Sequence, residues 1–181
     1  MLGKNKKTKQ MVLLYGLPQE STEGAAVRQV LKQQGLPCRE IAPQELNQKL
    51  GYLVGSGGFE VEQGEYAKEA PACSLLVLKS LSDKQTDRLL RDLQQAGVGR
   101  EVFKAAYTEH NRYWSLEKLL VEIQKERRIM DKYQQMADLL EQLGDAQGEA
   151  VALGRRILKS GRLPEEPQLD VVLEGLKALQ N

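Results

Sequence analysis

Leu31, Gly35, Arg39 and Glu40 are echoed by Leu93, Gly97, Arg100 and Glu101 after nearly the same interval. That echo constrains the fold of this 181-residue chain more than any other feature. In the first set, Met11 to Tyr15 is a short apolar run closed by Gly16-Leu17-Pro18, which reads as a buried strand ending in a turn. Ser21 or Thr22 caps the helix that follows. Ala26, Val27, Val30 and Leu31 form its apolar stripe, and Gly35 stops it. Leu36 to Ile41 returns as a second strand, which Pro37 makes start late or lie at an edge.

The second set repeats this order. Leu75 to Leu78, within Ser74 to Lys79, is too continuously apolar for a half-exposed strand. Ser82 and Gln85 have the spacing of a capping box, because the serine oxygen can accept a backbone amide three residues on while the glutamine reaches back. Leu89, Leu90 and Leu93 make the helical stripe, Gly97 ends it, and Val102 to Tyr107 is the fourth strand. Two βαβ units result. Paired in one sheet, they predict an α+β ferredoxin-like sandwich of two βαβ halves, with both helices on one face. Between the halves, Gln44 to Val54 has a helical stripe in Leu46, Leu50 and Leu53, and this extra helix keeps a doubly wound or thioredoxin-like α/β fold as the alternative. Gly55-Ser56-Gly57-Gly58 through Ala70 reads as a mobile acidic loop. As a phosphate loop Gly55 to Gly58 is weak, since no lysine follows at the required spacing, so a linker is expected.

After Trp114 a long helix runs to Gly144, with Ser115 as its cap and Trp114 stapled on Leu119. Its stripe of Leu116, Leu119, Leu120 and Ile123 is interrupted by the charges Lys125 to Arg128, then resumes as Met130, Tyr133, Ala137 and Leu140. A helix that loses its apolar face has left the first domain. Two further helices, one carrying Val151, Leu153, Ile157 and Leu158 and one over Leu169 to Leu179, are its expected partners, unless it pairs with a second copy. The expected organisation is a disordered basic tail at 1–10, an α/β domain at 11–127 and a C-terminal helical extension at 128–181.

A formal net charge of +1, from 26 basic and 25 acidic residues, supplies no global field to draw in nucleic acid or anionic membrane. The run Lys4, Lys6, Lys7 and Lys9 is read as a solvated tail. Nucleic acid is further disfavoured because the central strand offers no aromatic residues for stacking. No run reaches the roughly eighteen apolar residues of a membrane span, and the N-terminus lacks the apolar core of a signal peptide. A cytoplasmic protein without a membrane partner is expected. Cys38 and Cys73 fit reduced, inert thiols, and one histidine cannot complete a zinc set with them, so neither metal nor cofactor is expected.

The chain's unusual chemistry gathers at the end of the fourth strand. Lys104, Thr108, His110, Asn111 and Trp114 are the ligand-binding candidates: a lysine and three polar side chains could hold an anionic or amide-bearing ligand, with Trp114 as a wall. The structural alternative makes Thr108 and Asn111 turn residues and Trp114 a core residue. It is the favoured one, because no paired carboxylate and base accompany them.

The aliphatic strand from Ser74, with Leu89-Leu90, Gly97, Lys104-Ala105, Thr108, Asn111, Trp114, Leu119 and Glu122, resembles a bacterial domain-of-unknown-function family, number thirty-seven eighty-three. The resemblance runs from Ser74 to about Glu126, and Met11 to Gly55 matches more loosely. It implies a cytoplasmic bacterial protein and carries over no catalytic or binding residue. The leading expectation is therefore a non-catalytic α/β regulatory or protein-interaction module, with a protein partner or homodimer formed through the C-terminal helices. A small-ligand-binding or enzymatic domain using the Lys104 to Trp114 corner is the alternative.

Overall fold

The computed structural model describes residues 9–180, so most of the expected basic tail, Lys4, Lys6 and Lys7 included, lies outside the described residues. The chain divides into two compact units, one ending at Leu120 and the other beginning at Val121. In the first unit the two repeats form as expected: β1 (Met11–Tyr15), α1 (Thr22–Gln33), β2 (Cys38–Glu40), then β3 (Ser74–Lys79), α3 (Asp83–Gln95) and β4 (Val102–Ala106). Ser21 caps α1 by accepting from the Gly24 amide, and Ser82 and Gln85 form the capping box of α3. Gly35 and Gly97 take left-handed φ values of 64° and 81°, and Leu36 and Val98 behind them bond back to Leu31 and Leu93.

The sheet order is β2-β1-β3-β4. β1 runs parallel to β2 and β3 parallel to β4, while the central pair β1 and β3 is antiparallel, with Leu13 opposite Val77. This corrects the ferredoxin-like expectation. In a split βαβ sandwich a strand of one half separates the two strands of the other; here the strands of each half are neighbours and the halves meet at their first strands. The antiparallel centre likewise departs from an all-parallel doubly wound sheet. The sequence echo becomes a pseudo-twofold axis through the Leu13–Val77 pair. Two crossovers of one hand related by such an axis lie on the same face, and one core cluster joins Val12, Leu14, Val27 and Leu31 to Leu76, Leu78, Leu89 and Leu93.

Leu13, Tyr15, Leu75, Val77 and Lys79 alternate with that set, so they point to the opposite face, and they too are buried. Both faces are covered, which is why β3 is apolar without interruption. The cover comes from the segment between the halves. The helix expected over Gln44 to Val54 is instead a 3₁₀ turn at Pro43–Glu45 and a single turn, α2 (Leu50–Leu53). Between them the chain turns at Leu46 and Asn47 and meets the corner after β4 at Lys49. Lys49 and Ser115 form an antiparallel bridge, Leu50 N donates to Trp114 O at 2.9 Å, and Leu116 N donates to Gln48 O at 3.1 Å. Gly51 N to Arg112 O and Glu117 N to Leu46 O complete the set, each at 2.9 Å. These bonds are mirror partners about the same axis, so the duplication extends through the start of a helix in each half. The stretch expected to be a mobile acidic loop is tethered: Glu62 exchanges bonds with the Gln48 side chain, Asn47 donates to Gly64 O, and Tyr66 and Lys68 both reach Glu117.

The long helix α4 (Leu116–Gln142) begins in the first unit and continues in the second, which adds α5 (Glu149–Ser160) and α6 (Glu166–Ala178). Met136, Leu139 and Leu140 pack there with Val151, Leu169, Val172, Leu173 and Leu176, and Ile129, Tyr133 and Leu143 lie against them. The expected seam is thus corrected. Met130 is exposed, and Ile129, Tyr133, Met136, Leu140 and Leu143 recur at the alternating four and three spacing of a helix buried along one side. Among the described residues no helix is long and apolar enough to cross a membrane.

Candidate functional site

The corner after β4 is built by two residues of the candidate set. Asn111 Oδ1 accepts from the Thr108 amide at 2.9 Å, Thr108 Oγ1 accepts from the Asn111 amide at 3.2 Å, and Asn111 Nδ2 donates to Ala106 O at 2.8 Å. Both polar atoms of the buried Asn111 side chain are therefore engaged with backbone, which holds the turn.

Trp114 is not a core residue, contrary to expectation. It is half-buried, its ring meeting His110 edge-on at 5.1 Å with the Lys118 ammonium 4.5 Å from its centroid. Its backbone is spent on the bridge to Leu50. His110 and Trp114 thus form a surface cluster of their own, whereas Lys104 and Thr108 border an open cleft of about 930 Å³.

That cleft wraps the C-terminal ends of β3 and β4, where parallel strands position ligands. Lys9, Lys79, Lys104 and Arg112 line it with a single carboxylate, Glu109, which already pairs with Arg112. Gly55, Ser56 and Gly57 form one wall, so the loop expected to be a linker is part of the site. A Cβ on Gly57 would meet nothing within 4 Å, so the backbone there is open to an incoming group. Ser56 Oγ and Tyr107 Oη share a hydrogen bond of 3.0 Å across the cleft wall.

Lys79 is the residue that sequence reasoning missed. It is buried, its Nζ donates to Val54 O at 2.9 Å, and its ammonium lies 5.8 Å from the centre of the Tyr107 ring. No carboxylate faces it among the described residues, and burial pulls its pKa below the usual lysine range. The signal was available in strand parity, because Leu75 and Val77 place Lys79 on an inward face. Arg112 donates through Nη2 to Tyr113 Oη at 2.7 Å and stacks 4.7 Å over that ring, yet its buried Nε has no hydrogen-bond partner. Lys104 donates to Gly99 O at 2.9 Å.

The pseudo-twofold axis sets these residues against their counterparts. The registers match Lys79 with Tyr15 and Lys104 with Cys38, and the bonds around the Lys49–Ser115 bridge match Arg112 with Leu46. Tyr15 carries no charge and donates instead to Pro71 O at 2.9 Å. The frame therefore closes in the first half with none of the three cations. Ser80 is the counterpart of Gly16: both follow the inner strand with positive φ, 58° and 64°, but only the serine borders the cleft. A β-carbon is tolerated there against the usual preference for glycine, a kind of strain that gathers at functional positions.

No group of three or more His, Cys, Asp or Glu is placed to hold a metal among the described residues. Fold and cleft together define a mixed α/β protein with an electropositive cleft at its strand ends. Residues 74–130 match the family described as Domain of unknown function (DUF3783), the family that the sequence resembles from Ser74 onward. The match covers β3, α3, β4, the corner and the start of α4, which is the half that bears the cations. No curated protein and no solved structure matches the chain.

Proposed function

We propose that the first unit is a small-molecule-binding module that takes an anionic ligand in the cleft at the ends of β3 and β4. The observation that carries this reading is the asymmetry of the duplication: Lys79, Lys104 and Arg112 stand where the first half has Tyr15, Cys38 and Leu46 and folds equally well. Charges that the frame does not need, gathered on one cleft with one already paired carboxylate, fit an anion as partner. Lys9 and Arg112 are the groups assigned to the anion, and Lys104 borders the cleft from the α3 side of the sheet. Thr108 and Asn111 are positioning residues that hold the corner from which Arg112 projects.

Inorganic pyrophosphate tests the assignment. It should raise the unfolding midpoint of the full chain by about 2 °C or more at millimolar concentration, and the rise should vanish in Arg112→Ala. No rise beyond that of sodium chloride at equal ionic strength would reject the site. A regulatory role in the cytoplasm agrees with this reading, since Cys38 and Cys73 form no disulfide and suit a reducing compartment.

A second reading, protein interaction or self-association through the helical unit, is favoured by Val171, which is 65% exposed beside Leu153 and Ile157. Light scattering of Val171→Asp against the parent chain tests it, and equal mass for both proteins at all concentrations would exclude a homodimer through this patch.

A further inference from the structure

We infer that Lys79 is a nucleophilic lysine that forms an imine with a carbonyl group carried by the anionic ligand. The inference rests on the cleft reading above and adds the chemistry of its ligand: an aldehyde or ketone that also bears a carboxylate or phosphate.

Three observations converge on this side chain. Lys79 is 6% exposed yet borders the cleft, so its amine is largely desolvated while its tip stays on the wall that a ligand meets. Its hydrogen bond runs to the Val54 carbonyl, an acceptor that a neutral amine satisfies as well as an ammonium does. Burying an ammonium without a carboxylate is costly, so desolvation weighs towards the amine with a free lone pair, against the cation–π contact with Tyr107. Desolvation of this kind is how lysines become nucleophiles at neutral pH.

The pseudo-twofold counterpart of Lys79 carries no cation. Tyr15 occupies the matching inward position and donates its hydroxyl to Pro71 O. The first half fills that position without an amine. The other cations of the cleft have a separate task, since Lys9 and Arg112 can hold the anionic group while Lys79 meets the carbonyl.

The step balances without any further reagent. The Nζ lone pair adds to the carbonyl carbon to give a carbinolamine. Departure of the former carbonyl oxygen as water, carrying the two amine protons, leaves the C=N bond. Nothing is oxidised or reduced, and the open cleft releases the water.

The test uses the full chain with three aldehydes as probes: glyoxylate, pyridoxal 5′-phosphate and the uncharged benzaldehyde. Each is incubated with the folded protein and sodium cyanoborohydride, and the reduced adducts are located by peptide mass. The two anionic aldehydes should modify Lys79 about tenfold or more faster than exposed Lys84 and Lys118, and benzaldehyde should do so more slowly. Preference for one anionic probe identifies the anion as carboxylate or phosphate. Lys79→Arg, which keeps a cation able to reach Val54 O, should give no adduct at position 79 and leave the far-ultraviolet circular dichroism unchanged. Modification of Lys84 and Lys118 with Lys79 untouched would overturn the inference, and the wild-type map decides this even if the variant fails to fold. If pyrophosphate stabilises the protein but Lys79 stays unmodified, only the imine step fails. If Lys79 reacts equally with charged and uncharged aldehydes and pyrophosphate has no effect, the reactive lysine stands and the anion reading fails.

Discussion

Thr108 and Asn111 bond each other's backbone, each side-chain oxygen accepting from the other's amide, at 3.2 Å and 2.9 Å respectively. The pair locks the chain's exit from β4. Asn111→Ala leaves the Thr108 amide and the Ala106 carbonyl without their partners in a partly buried turn, so it should cost about 1.5–2.5 kcal/mol. Thr108→Val removes one longer bond at an exposed position and should cost about 1 kcal/mol or less. Urea unfolding of the two variants checks the order; equal losses would mean the turn is held by something else.

Trp114→Ala should be milder than a core tryptophan truncation. Its ring is half-buried between His110 and Lys118, so the loss is one partly covered face and one cation–π contact, about 1–2 kcal/mol. A loss above about 3 kcal/mol in the same unfolding experiment, the range of a buried aromatic, would show that the ring is core after all.

What the sequence made legible was local. Ser21, Ser82 and Gln85 announced their helices through capping chemistry, Gly35 and Gly97 through the left-handed residue that ends a helix, and the inner strands β1 and β3 through apolar runs. The pairing of the halves was not legible, because Leu13 meets Val77 across sixty-odd residues and either half is complete in its local signals whichever strand it pairs with. The Gln44 to Val54 helix failed for the same reason: its leucine spacing is helical, but backbone bonds with Arg112, Trp114, Leu116 and Glu117 hold Lys49 in a bridge that no local pattern encodes. Lys104 and Thr108 both border the cleft. His110 and Trp114 were grouped with them by proximity in sequence, and the turn that Asn111 builds carries them elsewhere.

Two glycines separate a backbone requirement from a packing requirement. A Cβ on Gly24 would stand 2.0 Å from Pro18 O, a backbone atom fixed by the turn before α1, so Gly24→Ala should cost more than about 3 kcal/mol. Gly35 has φ of 64° but open space around it, so Gly35→Ala pays only the left-handed penalty of about 1 kcal/mol. Thermal unfolding of the pair should rank them in that order.

Lys79 also predicts a pH dependence. Its pKa is lowered by burial in the folded protein and ordinary in the unfolded chain, so between those values the unfolded state binds more protons and stability rises with pH. Tyr15 and Tyr66 have raised values and act in the opposite direction, but they are common to the parent and a Lys79→Met variant and cancel in the comparison. The stability of the parent relative to Lys79→Met should therefore climb as the pH is taken from 7 towards about 10, the ordinary lysine range. A pH-independent difference would mean that Lys79 carries the same proton in both states.

The helical unit offers the last test, because two methionines on α4 separate the observed seam from the one that spacing alone suggests. Met136 is fully buried among Leu169, Val172 and Leu176, whereas Met130 is 47% exposed. Met136→Ala should leave a cavity and cost about 2–4 kcal/mol, while Met130→Ala, which improves helix propensity and loses little packing, should change stability by less than about 0.5 kcal/mol. Amide hydrogen exchange reads this unit by itself through the protection of α5 and α6. Protection there should fall in Met136→Ala and hold in Met130→Ala. The reverse pattern would place the seam one residue further round the helix, on Met130 and Ala137, and would undo the packing described for Ile129, Tyr133 and Leu143.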